Sequence, residues 1–133
     1  MAARVLIIED NKANLELVEY LLKASGYATL AARDGAEGVL TARKERPDLI
    51  ICDLQMPIMD GYEVVRELKK DPQLRSIQVI AVTALSMPGD RANVLAAGFD
   101  GYLSKPIDPE TFVRTVESFV PPDLRARRPT GGS

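Results

Sequence analysis

The sequence predicts an α/β domain in which helices cover both faces of a five-stranded parallel sheet. Three observations carry this expectation. Short apolar runs alternate five times with stretches of helical periodicity. The runs are continuously apolar, not alternating apolar and polar, which marks strands buried on both faces. The chain has 133 residues, 46% of them hydrophobic and 27% charged, enough for one domain with a core of two or three layers and unlike a disordered segment.

The first run, Val5-Leu6-Ile7-Ile8, stops at Glu9-Asp10-Asn11. Leu15, Val18, Leu21 and Leu22 then share one helical face, and Gly26 supplies a C-terminal stop. Residues 27–32 read as a weaker second strand, closed by Arg33-Asp34-Gly35. A helix over residues 36–45 turns Val39, Leu40 and Ala42 inward, and Pro47 ends it. Leu49-Ile50-Ile51-Cys52 is the third strand and runs directly into Asp53. The turn that follows is built around Pro57 and Asp60-Gly61, with Asp60 as the cap of a third helix over residues 62–70. That helix carries Val65 and Leu68 inward and stops before Pro72.

Val79-Ile80-Ala81-Val82 is the fourth strand, ending in Thr83. A helix over residues 90–97, closed by Gly98, leads to a short fifth strand at Gly101-Tyr102-Leu103. Asp108, Pro109 and Glu110 supply the N-cap, the N1 proline and the first-turn acid of a last helix. Its inward residues are Phe112, Val113, Val116 and Phe119. From Pro121 the sequence PPDLRARRPTGGS has no periodicity. The expected division is therefore a folded unit over 1–120 and a flexible tail over 121–133.

Composition excludes several classes of function. A net charge of -2 makes no electrostatic case for nucleic-acid binding. The single cysteine, Cys52, rules out an internal disulfide and reads as a small buried hydrophobe suited to a reducing compartment. The absence of histidine removes His-based acid–base catalysis and a zinc centre. The apolar stretch in MAARVLIIEDN is too short for a signal peptide, and no run is long enough to span a bilayer. The expectation is a soluble cytoplasmic protein.

In an open parallel sheet, ligands bind outside the carboxyl ends of the strands, near the switch in strand order. The residues at those ends are Glu9-Asp10, Asp53, Thr83 and Lys105. Crowded carboxylates raise one another's pKa unless a cation is present. An all-oxygen set without His or Cys suits a hard ion, and few carboxylates with room for water suit Mg²⁺. Lys105 can pair with Asp53 or with an incoming oxyanion, and the Thr83 hydroxyl can hydrogen-bond the same oxyanion. The chemistry this suggests is attack by an Asp carboxylate on a phosphoryl group, giving an aspartyl phosphate.

These pieces, IIEDN, DLQMPIMDG, VTA and YLSKP in that order, resemble the receiver domain of two-component response regulators over residues 4–120. The resemblance implies a flavodoxin-like, doubly wound sheet of order 2-1-3-4-5 with five helices. It implies Asp53 as phosphoacceptor, with Glu9, Asp10, Asp53 and the Gln55 carbonyl as Mg²⁺ ligands. Thr83 and Lys105 would contact the phosphoryl group, and Thr83 and the aromatic Tyr102 would switch on phosphorylation. Gln55 and Leu85 would flank the phosphoryl group and tune its hydrolysis. It also implies a cis peptide at Lys105-Pro106.

The implied function is a phosphorylation-activated signalling switch that catalyses only its own phosphorylation and dephosphorylation. A sensor histidine kinase or a histidine phosphotransferase would be the donor. A target protein would read the face made by the fourth helix, fifth strand and fifth helix, and a phosphorylation-dependent dimer is a further expected partner state. One alternative is a receiver domain cut from a hybrid kinase or multidomain regulator. Another is an Asp-nucleophile phosphatase of the haloacid dehalogenase type, but that chemistry wants an acid two residues after the nucleophile, where Gln55 stands. A flavodoxin-like electron carrier fails on EDNKAN, which is no Gly/Ser/Thr-rich phosphate loop, and on the absence of tryptophan. An unphosphorylated binding module would predict a damaged site, and no helix-turn-helix is encoded.

Overall fold

The computed structural model describes residues 3–84 and 90–120. Five parallel strands, β1 (Arg4–Ile8), β2 (Ala28–Ala32), β3 (Leu49–Asp53), β4 (Gln78–Thr83) and β5 (Gly101–Ser104), pair in the order β2-β1-β3-β4-β5. The helices between and after them are α1 (Lys12–Ala24), α2 (Gly35–Glu45), α3 (Gly61–Lys70), α4 (Asp90–Ala96) and α5 (Pro109–Phe119). This is the doubly wound, flavodoxin-like arrangement. The chain passes from β1 outward to β2 and then returns past β1 to β3. The carboxyl ends of β1 and β3 therefore flank the switch point.

The continuous apolar runs have a direct explanation. Alternate residues of each run enter two different cores. Leu6, Ile8, Ile50, Cys52, Val79 and Ala81 join Val39, Val64, Val65, Leu68 and Val94 from α2, α3 and α4. Val5, Ile7, Leu49, Ile51, Ile80 and Val82 join Leu15, Val18, Leu22, Phe112 and Val116 from α1 and α5. The pleat places successive side chains on opposite faces, so a strand covered twice must be apolar at every position.

Each of four helices starts on a short polar side chain that accepts a backbone amide. Asn11 accepts from Asn14, Asp34 from Glu37, Asp60 from Glu63 and Asp108 from Thr111. Asp60 and Glu63 complete a reciprocal capping box, as expected of the cap read at Asp60. The Thr111 amide and hydroxyl hold the Asp108 carboxyl below its ordinary range. Gly26 and Gly98, the expected helix stops, adopt φ of 91° and 117°.

Several details differ from the sequence reading. Leu40, expected to point inward, is 65% exposed. Glycines 35 and 38, with Val39 and Ala42, form the buried side of α2. A Cβ on Gly38 would lie 2.5 Å from the Ile8 side chain, so anything larger there would have to displace Ile8 from its place in the core. Leu21, Val113 and Phe119 are only partly buried. Arg46 ends α2 in a left-handed conformation one residue before Pro47. The tail expected over 121–133 and the position Leu85 lie outside the described residues.

Candidate functional site

β1 delivers Glu9 and Asp10 one step beyond Ile8, and the Glu9 amide donates to the Ala32 carbonyl at 3.0 Å, fixing the strand end. β3 delivers Asp53. It is still in the ladder, paired with Val82, and only 4% exposed. The third strand thus extends one residue beyond Cys52, and the carboxylate is buried at the rim. Carboxylate oxygens of Glu9, Asp10 and Asp53 lie within 4.8 Å of one another. Glu9 is as buried as Asp53, and Asp10 is half-buried.

Lys105 reaches this cluster from the loop after β5. Its Nζ lies 3.2 Å from Glu9 Oε1 and 3.4 Å from Asp53 Oδ2, with 19% of its side chain exposed. The Lys105 amide donates to the Thr83 carbonyl at 2.8 Å, extending the β4–β5 ladder, and the following Lys105-Pro106 bond is cis, as expected. Thr83 is fully buried at the end of β4. The Gln55 amide donates to Asp53 Oδ1 at 3.3 Å, which draws the start of the β3–α3 loop over the carboxylate.

Burial first, then the adjacent Asp53 carboxyl, pushes Glu9 up to about 7 from 4.5. The Asn11 amide, 3.2 Å from Glu9 Oε2, and the Lys105 ammonium pull it down. Crowding by Asp53 thus adds to burial in raising Glu9. Three carboxylates and no nitrogen or sulfur ligand form a donor set suited to a hard divalent cation, and the cluster could hold a metal ion. Cys52 is buried immediately before Asp53, and burial pushes its thiol far above the ordinary range, so it is inert.

Tyr102 lies on β5, partly buried against the α2–α4 side of the core. It also lines a groove of about 550 Å³ between α4, β5 and α5, together with Arg91, Lys105, Phe112 and Thr115. Glu9, Asp10, Asp53 and Lys105 thus converge, Thr83 ends the strand beside Asp53, and Tyr102 lines the adjacent groove. The sequence reading missed the part played by Gly61. It was read as a turn former, but its φ is not left-handed. What marks it is how closely it approaches the Asp53 backbone.

A doubly wound sheet carrying an acid triad and one lysine at its carboxyl rim defines a class, the phosphorylation-controlled signalling domains of that architecture. The comparisons make the family plain. Residues 5–117 match the response regulator receiver domain, and the chain belongs to that family. It is 45% identical over 120 residues to the polar-differentiation response regulator DivK of Brucella anthropi, covering 90% of this chain and 98% of that one. The chemotaxis protein CheY4 of Vibrio cholerae superposes with a TM-score of 0.85 at 32% identity, covering 90% of this chain and all of that one. The receiver domain of the sensor histidine kinase PA1611 of Pseudomonas aeruginosa, with a magnesium ion in its active site cleft, superposes with a TM-score of 0.82. It is 34% identical, covering 90% of this chain and 98% of that one. Receiver domains are signalling switches activated by phosphorylation, not metabolic enzymes, and they work with histidine kinases or phosphotransferases and with downstream targets.

Proposed function

We propose that Asp53 is the phosphoacceptor of this switch. The observation that carries the reading is the Lys105 ammonium bridging Glu9 and Asp53 at 3.2 and 3.4 Å on a buried rim. An Asp53 oxygen attacks the phosphorus of a phosphohistidine on a partner kinase or phosphotransferase. The new O–P bond forms as the N–P bond breaks, and the imidazole leaves with its electron pair. Lys105 holds the acceptor carboxylate in place and offsets charge on the incoming phosphoryl oxygens. The Thr83 hydroxyl, at the end of the neighbouring strand, is the hydrogen-bond donor for one of those oxygens.

Glu9, Asp10, Asp53 and the Gln55 carbonyl would hold Mg²⁺. The cation supplies the positive charge that lets three carboxylates and a phosphoryl group share one site. The magnesium ion in the PA1611 receiver supports this choice. Hydrolysis ends the signal, tuned by Gln55 and Leu85, and the chain has no other enzymatic role. Thr83 and Tyr102 form the switch. Movement of Thr83 towards the phosphoryl group turns Tyr102 inward and reshapes the α4–β5–α5 groove, which a target or a second phosphorylated copy reads.

Among the described residues, no helix is long and apolar enough to cross a membrane, which is compatible with a cytoplasmic setting. The family match over residues 5–117 and an alignment that covers 98% of DivK support reading residues 1–120 as the receiver unit. The likeness to histidine-kinase receivers favours, as second reading, a receiver belonging to a larger protein.

The test is incubation with phosphoramidate and Mg²⁺, read by intact mass. The wild type is expected to gain one labile phosphoryl group and Asp53→Asn none. Equal gain by both removes Asp53 from its role.

A further inference from the structure

The β3–α3 loop carries both the acceptor and the Gln55 carbonyl, yet it is a loop, and something must fix its position. Gly61 is the first residue of α3 and is buried. A Cβ there would lie 2.5 Å from the Asp53 carbonyl oxygen and 2.8 Å from Leu54 Cα. Both are backbone atoms, so no rotamer change can relieve the clash. The contact is also bonded: the Gly61 amide donates to the Leu54 carbonyl at 3.0 Å, and the Leu54 amide donates to the Val82 carbonyl at 3.1 Å. The peptide units around the acceptor are thus held between β4 on one side and the start of α3 on the other.

A second close approach holds the far end of the same loop. A Cβ on Gly35, the first residue of α2, would lie 2.8 Å from the Met59 carbonyl oxygen. Met59 closes a tight three-residue turn, its amide donating to the Pro57 carbonyl at 2.8 Å across Ile58. Ile58 is fully exposed with φ of 70°, a conformation a β-branched residue adopts only when its neighbours impose it. The loop is therefore pinned at both ends by helix-start glycines, with the strain taken up at its solvent-facing middle.

We propose that Gly61, seconded by Gly35, is a positioning residue for the phosphotransfer site. Its lack of a side chain sets where the Asp53 carboxylate and the Gln55 carbonyl stand relative to Glu9, Asp10 and Lys105. The proposal rests on the reading of Asp53 as acceptor. Displacement of a reacting group by about 1 Å costs on the order of a hundredfold in rate.

The experiment compares Gly61→Ala with Gly101→Ala in the full chain. Gly101 is also crowded, a Cβ meeting the Phe119 ring at 2.7 Å, but against a side chain and at the amino end of β5, away from the rim. Thermal melts fix a temperature at which all variants are folded. Phosphorylation by phosphoramidate at saturating donor and Mg²⁺, and Mg²⁺ affinity by calorimetry, are then measured. Gly61→Ala is expected to lose at least tenfold in both, while Gly101→Ala stays within twofold despite its lower melting temperature. A folded Gly61→Ala with wild-type rate and affinity overturns the proposal. So does a Gly101→Ala variant as impaired as Gly61→Ala. Should Gly61→Ala not fold, Gly35→Ala carries the same comparison, and wild-type behaviour there overturns it equally. If the wild type itself takes no phosphoryl group, the reading of Asp53 falls while the Mg²⁺ titration still decides on Gly61.

Discussion

The two rims of the sheet are both rich in charge but use it differently. At the amino rim, Arg4 pairs with Glu45 at 3.2 Å and donates its amide to Asp48, and Lys69 pairs with Asp100 at 3.4 Å. Asp100 also accepts the Val79 amide at 2.8 Å. These charges are matched in sign and partly solvated, with Arg4 and Glu45 40% and 34% exposed. At the carboxyl rim three carboxylates cluster, two of them bridged by Lys105, and the Glu9 and Asp53 side chains are only 5% and 4% exposed. Matched, solvated charge contributes little energy and locates strand ends, whereas carboxylates crowded and buried together are costly and suit a cation.

The comparison breaks most readily at Lys105. Lys105→Ala leaves Glu9 and Asp53 without the ammonium that bridges them, and phosphorylation by phosphoramidate should fall on the order of a hundredfold. A rate within threefold of wild type would mean the lysine only offsets charge. Asp10→Ala should weaken Mg²⁺ binding by about tenfold or more, measured by calorimetry, and an unchanged titration would remove Asp10 from the ligand set.

The Glu9 shift gives a pH signature. In metal-free protein the folded state keeps a proton on Glu9 up to about 7, while the unfolded chain loses it near 4.5. The folded state then binds more protons across that window, so stability falls as pH rises through it and levels off above. The fall should be on the order of 1–3 kcal/mol between pH 4.5 and 8 in urea titrations. The chain has no histidine to confuse the reading. Glu9→Gln should flatten the dependence, and a variant that keeps the wild-type slope would assign it elsewhere. Saturating Mg²⁺, which competes with the proton, should also flatten it. The smallest effect is expected at the amino rim. Lys69→Ala should cost less than about 1 kcal/mol and leave phosphorylation unchanged. A larger loss, or a slower reaction, would mean that the two rims are coupled.

Much of this was legible in the residues. Leu49-Ile50-Ile51-Cys52 ending on Asp53 reads as a doubly covered strand because each face needs an apolar residue at every second position. Asp108-Pro109-Glu110 reads as a helix start because capping is local chemistry. Convergence of Glu9, Asp53, Thr83 and Lys105 follows once the strands are parallel. Strand order came from the motifs' family likeness, since periodicity does not say which strands are neighbours.

Leu40 shows where local pattern stops. Its hydrophobicity suggested an inward side chain, but α2 approaches the sheet through Gly38, and the closeness of that approach is set by Ile8, thirty residues away in sequence. Gly61 teaches the same lesson at the site. As a turn residue it is readable from the sequence, but its fit against the Asp53 carbonyl exists only once α3 is seated on β3. The sequence by itself determined the order of strands and helices, the caps and the identity of the rim residues, because these depend on spacing and on side-chain chemistry. The tertiary structure alone decided how deeply Asp53 and Glu9 are buried, which helix faces lie closest to the sheet and how the acceptor loop is held. Those are distances between segments remote in the chain, and packing sets them.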